Sequence, residues 1–162
     1  MSKTLGNVIR PGQLTEKFGV DATRYLLLSE FPFGTDGDIS VGAMVERYNA
    51  DLANDLGNLV NRTISMINRY FGGEIPIPRN SEAGVSHPED ADLASVARAL
   101  YPRVSEAMDA LAFPDAFSTV WALVNRANRY VEETAPWALA KTDRDRLSTV
   151  LYFLAESIRL VA

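Results

Sequence analysis

The residues with most chemistry to offer lie between positions 54 and 69. Asn54, Asn58, Asn61, Arg62, Ser65 and Arg69 recur at steps of four, three, one, three and four. On a helix those steps share one face. The stripe holds three amides, two guanidiniums and a hydroxyl, and no carboxylate. Exposed helix faces usually mix Glu with Lys, and asparagine is a mediocre helix former. Three asparagines on one face are therefore unfavourable unless they have a task. Amides and guanidiniums are the groups that read base edges and phosphates.

Two other places add to this set. Asn125, Arg126, Asn128 and Arg129 fall within five residues near the next-to-last helix. Trp137 follows Pro136 at a helix corner, where it either plugs the core or offers a flat face to an unpaired base. Trp121 sits in a buried-looking helical pattern and reads as core. At the start, Ser2-Lys3-Thr4 holds an ammonium between two hydroxyls with no helical or strand period, a loop suited to phosphate.

Other chemistries lack raw material. There is no cysteine, so there is neither a disulfide framework nor a thiolate. The single histidine, His87, sits in Val85-Ser86-His87-Pro88-Glu89-Asp90, a surface loop leading into a helix cap. A metal cage or a Ser-His-Asp triad cannot be built from it. Asp36 and Asp38 lack the rest of a calcium loop and read as turn and cap residues.

The elements that must position these groups are helices. Pro11 to Phe18 forms a short helix ended by Gly19. Asp21 caps a second, Ala22 to Glu30. Residues 31–38 are turn-rich. Val41, Val45, Tyr48, Leu52, Leu56, Leu59, Thr63, Ile67 and Tyr70 keep a helical period, predicting one helix of about 30 residues and roughly 45 Å, ended by Gly72-Gly73. Residues 74–88 form a connecting loop pinned at Ile75 and Ile77. Further helices run from Pro88 to Leu111, with acids in the first turn, from Phe113 to about Thr134, and from near Asp143 onward. Phe117, Val120, Val124, Ala127 and Val131 are the core line of the second of these. Ala135-Pro136-Trp137 breaks the chain between them. The last helix stops while still apolar and periodic, so both ends read as cut.

The 162 residues suit one domain with a small appendage, and 47% hydrophobic against 23% charged content suits a folded soluble chain. A net charge of −5 argues against general nucleic-acid adhesion and leaves room for a local site. No stretch has the roughly 18 apolar residues of a membrane span, and no leader pattern opens the chain. The expected location is cytoplasmic, with no membrane partner.

Several of these stretches carry a family resemblance. Met1-Ser2-Lys3-Thr4-Leu5-Gly6-Asn7 resembles the KMSKS signature loop of class I aminoacyl-tRNA synthetases without its first lysine. Pro32-Phe33-Gly34-Thr35-Asp36-Gly37-Asp38, Asn58-Leu59-Val60-Asn61-Arg62 and Ala135-Pro136-Trp137-Ala138 narrow the likeness to the C-terminal part of the methionyl-tRNA synthetases. The resemblance covers essentially the whole chain.

It implies an all-α fold: a KMSKS loop and stem-contact segment over residues 1–40, then an anticodon-binding helix bundle, C-terminally truncated, over 41–162. It implies that Asn58, Arg62, Pro136 and Trp137 bind the CAU anticodon of tRNA-Met, with Trp137 stacking on its first base. Lys3 would stabilise ATP phosphates in the intact enzyme, which uses ATP with Mg to activate methionine. The nucleotide-binding domain and its His-Ile-Gly-His signature are absent. The chain is therefore expected to lack activity and cofactor by itself, and to have tRNA-Met and the missing catalytic domain as partners, not DNA. The alternatives are a structural helix bundle, with the stripe packed on protein and Trp137 buried, or the matching part of a valine, isoleucine or leucine ligase.

Overall fold

The computed structural model describes residues 9–35, 39–78 and 87–162. Lys3, Asp36 and Asp38 lie outside the described residues. All regular structure among the described residues is helical. Helix α1 spans Pro11–Phe18 and α2 Val20–Glu30. The main-chain N–H of Arg10 donates to Gln13 Oε1 at 2.9 Å, which closes the open start of α1. Gly19, at φ +80, both ends α1 and precedes α2. Asp21 lies inside the first turn of α2 and is not its cap. There it meets the helix dipole favourably without closing a backbone donor.

The long helix is continuous and changes gauge. It begins as α3, Val41–Arg47, widens to a π-helical segment over Tyr48–Gly57, and returns to α-helix as α4, Asn58–Phe71. The junction residues Arg47, Tyr48, Gly57 and Asn58 all keep right-handed helical angles, so the rod does not break. Tyr48, Leu52 and Leu56 are half-buried along this stretch, and no residue of the π segment is fully buried. Gly57 suits the closing turn, because a Cβ there would stand 3.1 Å from the Leu52 carbonyl oxygen. Gly72, at φ +64, terminates α4 in the left-handed conformation.

Helix α5 spans Pro88–Asp109, α6 Phe113–Thr134, α7 Pro136–Thr142 and α8 Arg144–Val161. The short α7 occupies the place expected to be a break: Pro136 opens a helix there instead of ending one. Ile75 and Ile77 do not pin the connection after α4. They are 59% and 79% exposed, and the buried residue between them is Pro76.

Leu59 and Ile67 of α4, Leu93 of α5, Leu123 and Val131 of α6 and Leu151 of α8 share one core. Through it runs a polar tie. The Tyr130 hydroxyl donates to Asp90 Oδ1 at 2.5 Å, and Arg146 donates to both Asp90 oxygens at 2.6 and 2.8 Å. Asp90 is fully buried, so this triad locks α5, α6 and α8 in one register. A smaller core of Leu14, Leu26 and Met44 joins α1 and α2 to α3. Tyr25 bridges the two. Its ring meets Phe117 and Trp121 edge-on at 5.2 and 5.8 Å, and its hydroxyl donates to Asp51. Trp121 is partly buried against the main core.

Candidate nucleic-acid interface

The candidate site forms where the α6–α7 corner meets the first turns of α4. Thr134 ends α6, and Ala135 takes the left-handed conformation at φ 43, ψ 62. Pro136 fixes the first position of α7 and is buried. The chain reverses within these residues, and Trp137 is carried out of the core on the first turn of α7, 45% exposed. Arg62 reaches it from α4, with its guanidinium carbon 5.7 Å from the centre of the indole ring. That arrangement joins cation and ring. Arg62 Nη2 also donates to Glu132 Oε1 at 2.7 Å. Asn58 is exposed one helical turn from Arg62 on the same rod.

Of the four expected anticodon residues, Arg62 and Trp137 are thus in contact, Asn58 is exposed one turn before Arg62, and Pro136 is buried at the start of α7. The rest of the stripe divides. Asn61, Ser65 and Arg69 are exposed along α4, with Arg69 lying 5.6 Å from the centre of the Tyr70 ring. Asn54 lies inside the π segment, so α-helical spacing does not fix its place on the face.

The second cluster does not behave as a free reading surface. Arg126 is only 11% exposed at its side chain and pairs with Asp92 and Glu133. It also donates to the Glu89 carbonyl oxygen at 3.2 Å. Asn128 turns the other way and donates to the Asp55 carbonyl oxygen of the π segment at 3.1 Å. Arg129 is exposed and pairs with Glu133 at 2.7 Å. Asn125 is exposed. The sequence shows four polar residues close together. Asn125, Arg126 and Arg129, three and four apart, line one groove against α5, and Asn128 alone faces the π segment.

Glu132 is the site residue that sequence reading missed. A signal was available: Glu132 and Glu133 stand in the last turn of α6, which has no basic residue, where the dipole disfavours acids. Paired carboxylates at a helix C-terminus call for cations from elsewhere, and Arg62 is one.

Comparisons with known proteins identify the family. Residues 1–64 match the family described as tRNA synthetases class I (M), and residues 77–162 match the anticodon binding domain of methionyl tRNA ligase. A methionine–tRNA ligase of Caldanaerobacter subterraneus subsp. tengcongensis is 52% identical over 99% of this chain and 25% of its own length. One from Enterococcus faecalis is 48% identical over the whole chain and 24% of its own length. The chain thus spans about a quarter of these relatives. Among solved structures, Mycobacterium tuberculosis methionyl-tRNA synthetase bound by methionyl-adenylate superposes with a TM-score of 0.90 and 39% identity, over 99% of this chain and 32% of that one. The chain belongs to the methionyl-tRNA ligase family, and α5 to α8 of its helical bundle fall within the match to that family's anticodon-binding domain.

Proposed function

We propose that this bundle recognises the CAU anticodon of tRNA-Met for a cytoplasmic ligase that activates methionine with ATP and Mg and transfers it to that tRNA. Trp137 stacks on the first anticodon base. Asn58 and Arg62 offer donors and acceptors to base edges, and Pro136 holds the stacking platform. Lys3 would serve the ATP phosphates in the catalytic domain's company, and residues up to about position 40 would connect that domain to the bundle.

The observation that carries this reading is the exposed contact of Arg62 with Trp137, one turn from Asn58. An aromatic face flanked by a guanidinium and an amide is what a splayed single-stranded base requires. A purely structural bundle called for Trp137 to be buried, and it is 45% exposed.

The test is binding of this chain to a labelled CAU anticodon stem-loop at low salt, with a GAC loop as control. Preference for CAU, weakened more than tenfold in Trp137→Ala, supports the reading. Equal binding of both loops, or no effect of the variant, overturns it.

A further inference from the structure

A groove of about 690 Å³ opens between α5 and α6. Arg103, Arg126 and Arg129 line it, and Asp92 is the one carboxylate among its lining residues. The whole chain carries a net charge of −5, so this excess of guanidinium runs against the overall sign. Asp92 is already engaged by Arg126, which is only 11% exposed and forms part of the floor. Arg126 Nη1 is buried without an acceptor among the described residues. Arg103 is exposed and has no ion pair among the described residues.

Uncharged donors complete the lining. Ser95, Ser118 and Asn125 are exposed along it, and none of the lining residues is aromatic. Guanidiniums, hydroxyls and an amide along a track, with no ring to stack a base, suit contact with phosphate and sugar.

The groove also lies in the right place. Arg129 stands one helical turn before Glu132, whose carboxylate accepts from Arg62 of the candidate anticodon site. The short turn at 110–112 makes α5 and α6 antiparallel. Asp92 lies level with Arg126, and Arg103 follows three turns later on α5, about 16 Å further from that site. Such a length passes roughly five phosphates along one strand of a duplex.

We infer that the α5–α6 groove is a second RNA contact: a sequence-independent track for the sugar–phosphate backbone leaving the anticodon loop, with Arg129 at its near end and Arg103 at its far end. The inference rests on the anticodon reading above and places a part of the RNA that the reading leaves unplaced. Continuity with that site favours RNA over an acidic peptide. Phosphate contacts fix register and carry no base information, so the track adds affinity to every anticodon alike.

The test measures binding of CAU and GAC anticodon stem-loops over a salt series for wild type, Arg103→Gln, Arg103→Lys and Arg98→Gln. Arg98 is an exposed arginine of the same helix that does not line the groove, so its variant makes the same charge change elsewhere. Arg103→Gln is expected to weaken both stem-loops equally, about three- to tenfold at low salt, and to reduce the slope of log affinity against log salt by about 0.7–0.9. Arg103→Lys should keep the wild-type slope, since a point charge still meets a phosphate. Arg98→Gln should change affinity by less than twofold. If Arg103→Gln leaves the slope unchanged, or if Arg98→Gln reduces it equally, the track is overturned. Weakened binding of an oligoglutamate peptide by Arg103→Gln, with RNA binding intact, would overturn it in favour of an acidic protein segment. The CAU to GAC ratio of wild type decides the anticodon reading and the slope decides the groove, so the two fail separately.

Discussion

The Asn128 side chain of α6 donates to the main-chain carbonyl oxygen of Asp55, at 3.1 Å, inside the π segment. That carbonyl lies three residues before Asn58, where the rod returns to α-helical gauge. The contact therefore fixes where the wide turns stop, and with it the direction in which Asn58 and Arg62 point. Loss of one such hydrogen bond to a part-buried carbonyl is worth about 1–2 kcal/mol. Asn128→Ala should lower urea stability by about that much and weaken CAU binding although residue 128 touches no base in this reading. Asn128→Asp should be worse, because a carboxylate cannot donate to a carbonyl. A variant with normal stability and normal binding would remove Asn128 from the site's support.

Trp137 separates binding from folding. Its ring is half exposed, so Trp137→Ala should leave the melting temperature within a few degrees. Its stacking contribution, about 1–3 kcal/mol per base, corresponds to a loss of roughly 5- to 150-fold in affinity. Trp137→Phe should retain part of it, since a smaller ring still stacks. Titrations of the stem-loop against thermal melts of the same samples decide the point.

The helices were legible in the sequence because their punctuation is local. Pro11 and Gly19 bracket α1, Phe113-Pro114-Asp115 opens α6, and Gly72 stops α4 where the periodicity predicts. The convergence of Asn58, Arg62 and Trp137 was legible through motif resemblance, since residues 75 positions apart share no local signal. The π segment was not legible: Tyr48, Leu52 and Leu56 step by four, and so do Leu59, Thr63 and Ile67 in the α-helical part of the same rod. The roles of Arg126 and Asn128 were not legible, because whether a polar side chain reads a partner or ties two helices depends on which helix packs beside it. Asp90 gave the same ambiguity: a first-turn acid can cap a dipole in solvent, and here it is the centre of the core's ion network.

That network makes a strong stability prediction. Asp90 accepts from Tyr130 and from two nitrogens of Arg146 while fully buried. Removing it leaves a largely buried guanidinium with only the longer contact to Glu89, at 3.1 Å, in place of two shorter ones. Asp90→Ala should lose about 3–5 kcal/mol of stability, by the measure of a broken buried pair. Tyr130→Phe should lose only about 1–2 kcal/mol, because Asp90 keeps Arg146. Calorimetric melts check both, and the order Asp90→Ala worse than Tyr130→Phe is the critical outcome.

Alkaline stability follows from the same tyrosines. Burial, then hydrogen bonding to Asp51, pushes the Tyr25 phenol from its ordinary value near 10 up to about 12. Burial, then hydrogen bonding to Asp90, pushes Tyr130 strongly upward as well. The folded state thus keeps protons that the unfolded chain releases above pH 10. Stability from these groups is complete below pH 10 and declines as pH rises through 10 to 12. Urea midpoints should fall between pH 10 and 11.5, and Tyr25→Phe should make that fall shallower. An identical slope in Tyr25→Phe would show that its phenol does not ionise on unfolding in that range.

Ala135 tests whether strain at the corner serves the site. It takes the left-handed conformation, φ 43 and ψ 62, with a Cβ that disfavours it by roughly 1–2 kcal/mol. Glycine adopts this conformation freely but loses more backbone entropy on folding, about 0.5–1 kcal/mol. The balance favours glycine in the folded state, so Ala135→Gly should raise stability by up to about 1 kcal/mol. The same freedom widens the corner that carries Pro136 and Trp137. CAU binding should then weaken about two- to threefold while the fold gains stability, an opposition that few other single changes in this bundle would produce. Denaturant unfolding and stem-loop titration on the same variant read both signs. If stability and affinity rise together, the left-handed corner is a local accident of the α6–α7 turn and not part of what holds Trp137 in place.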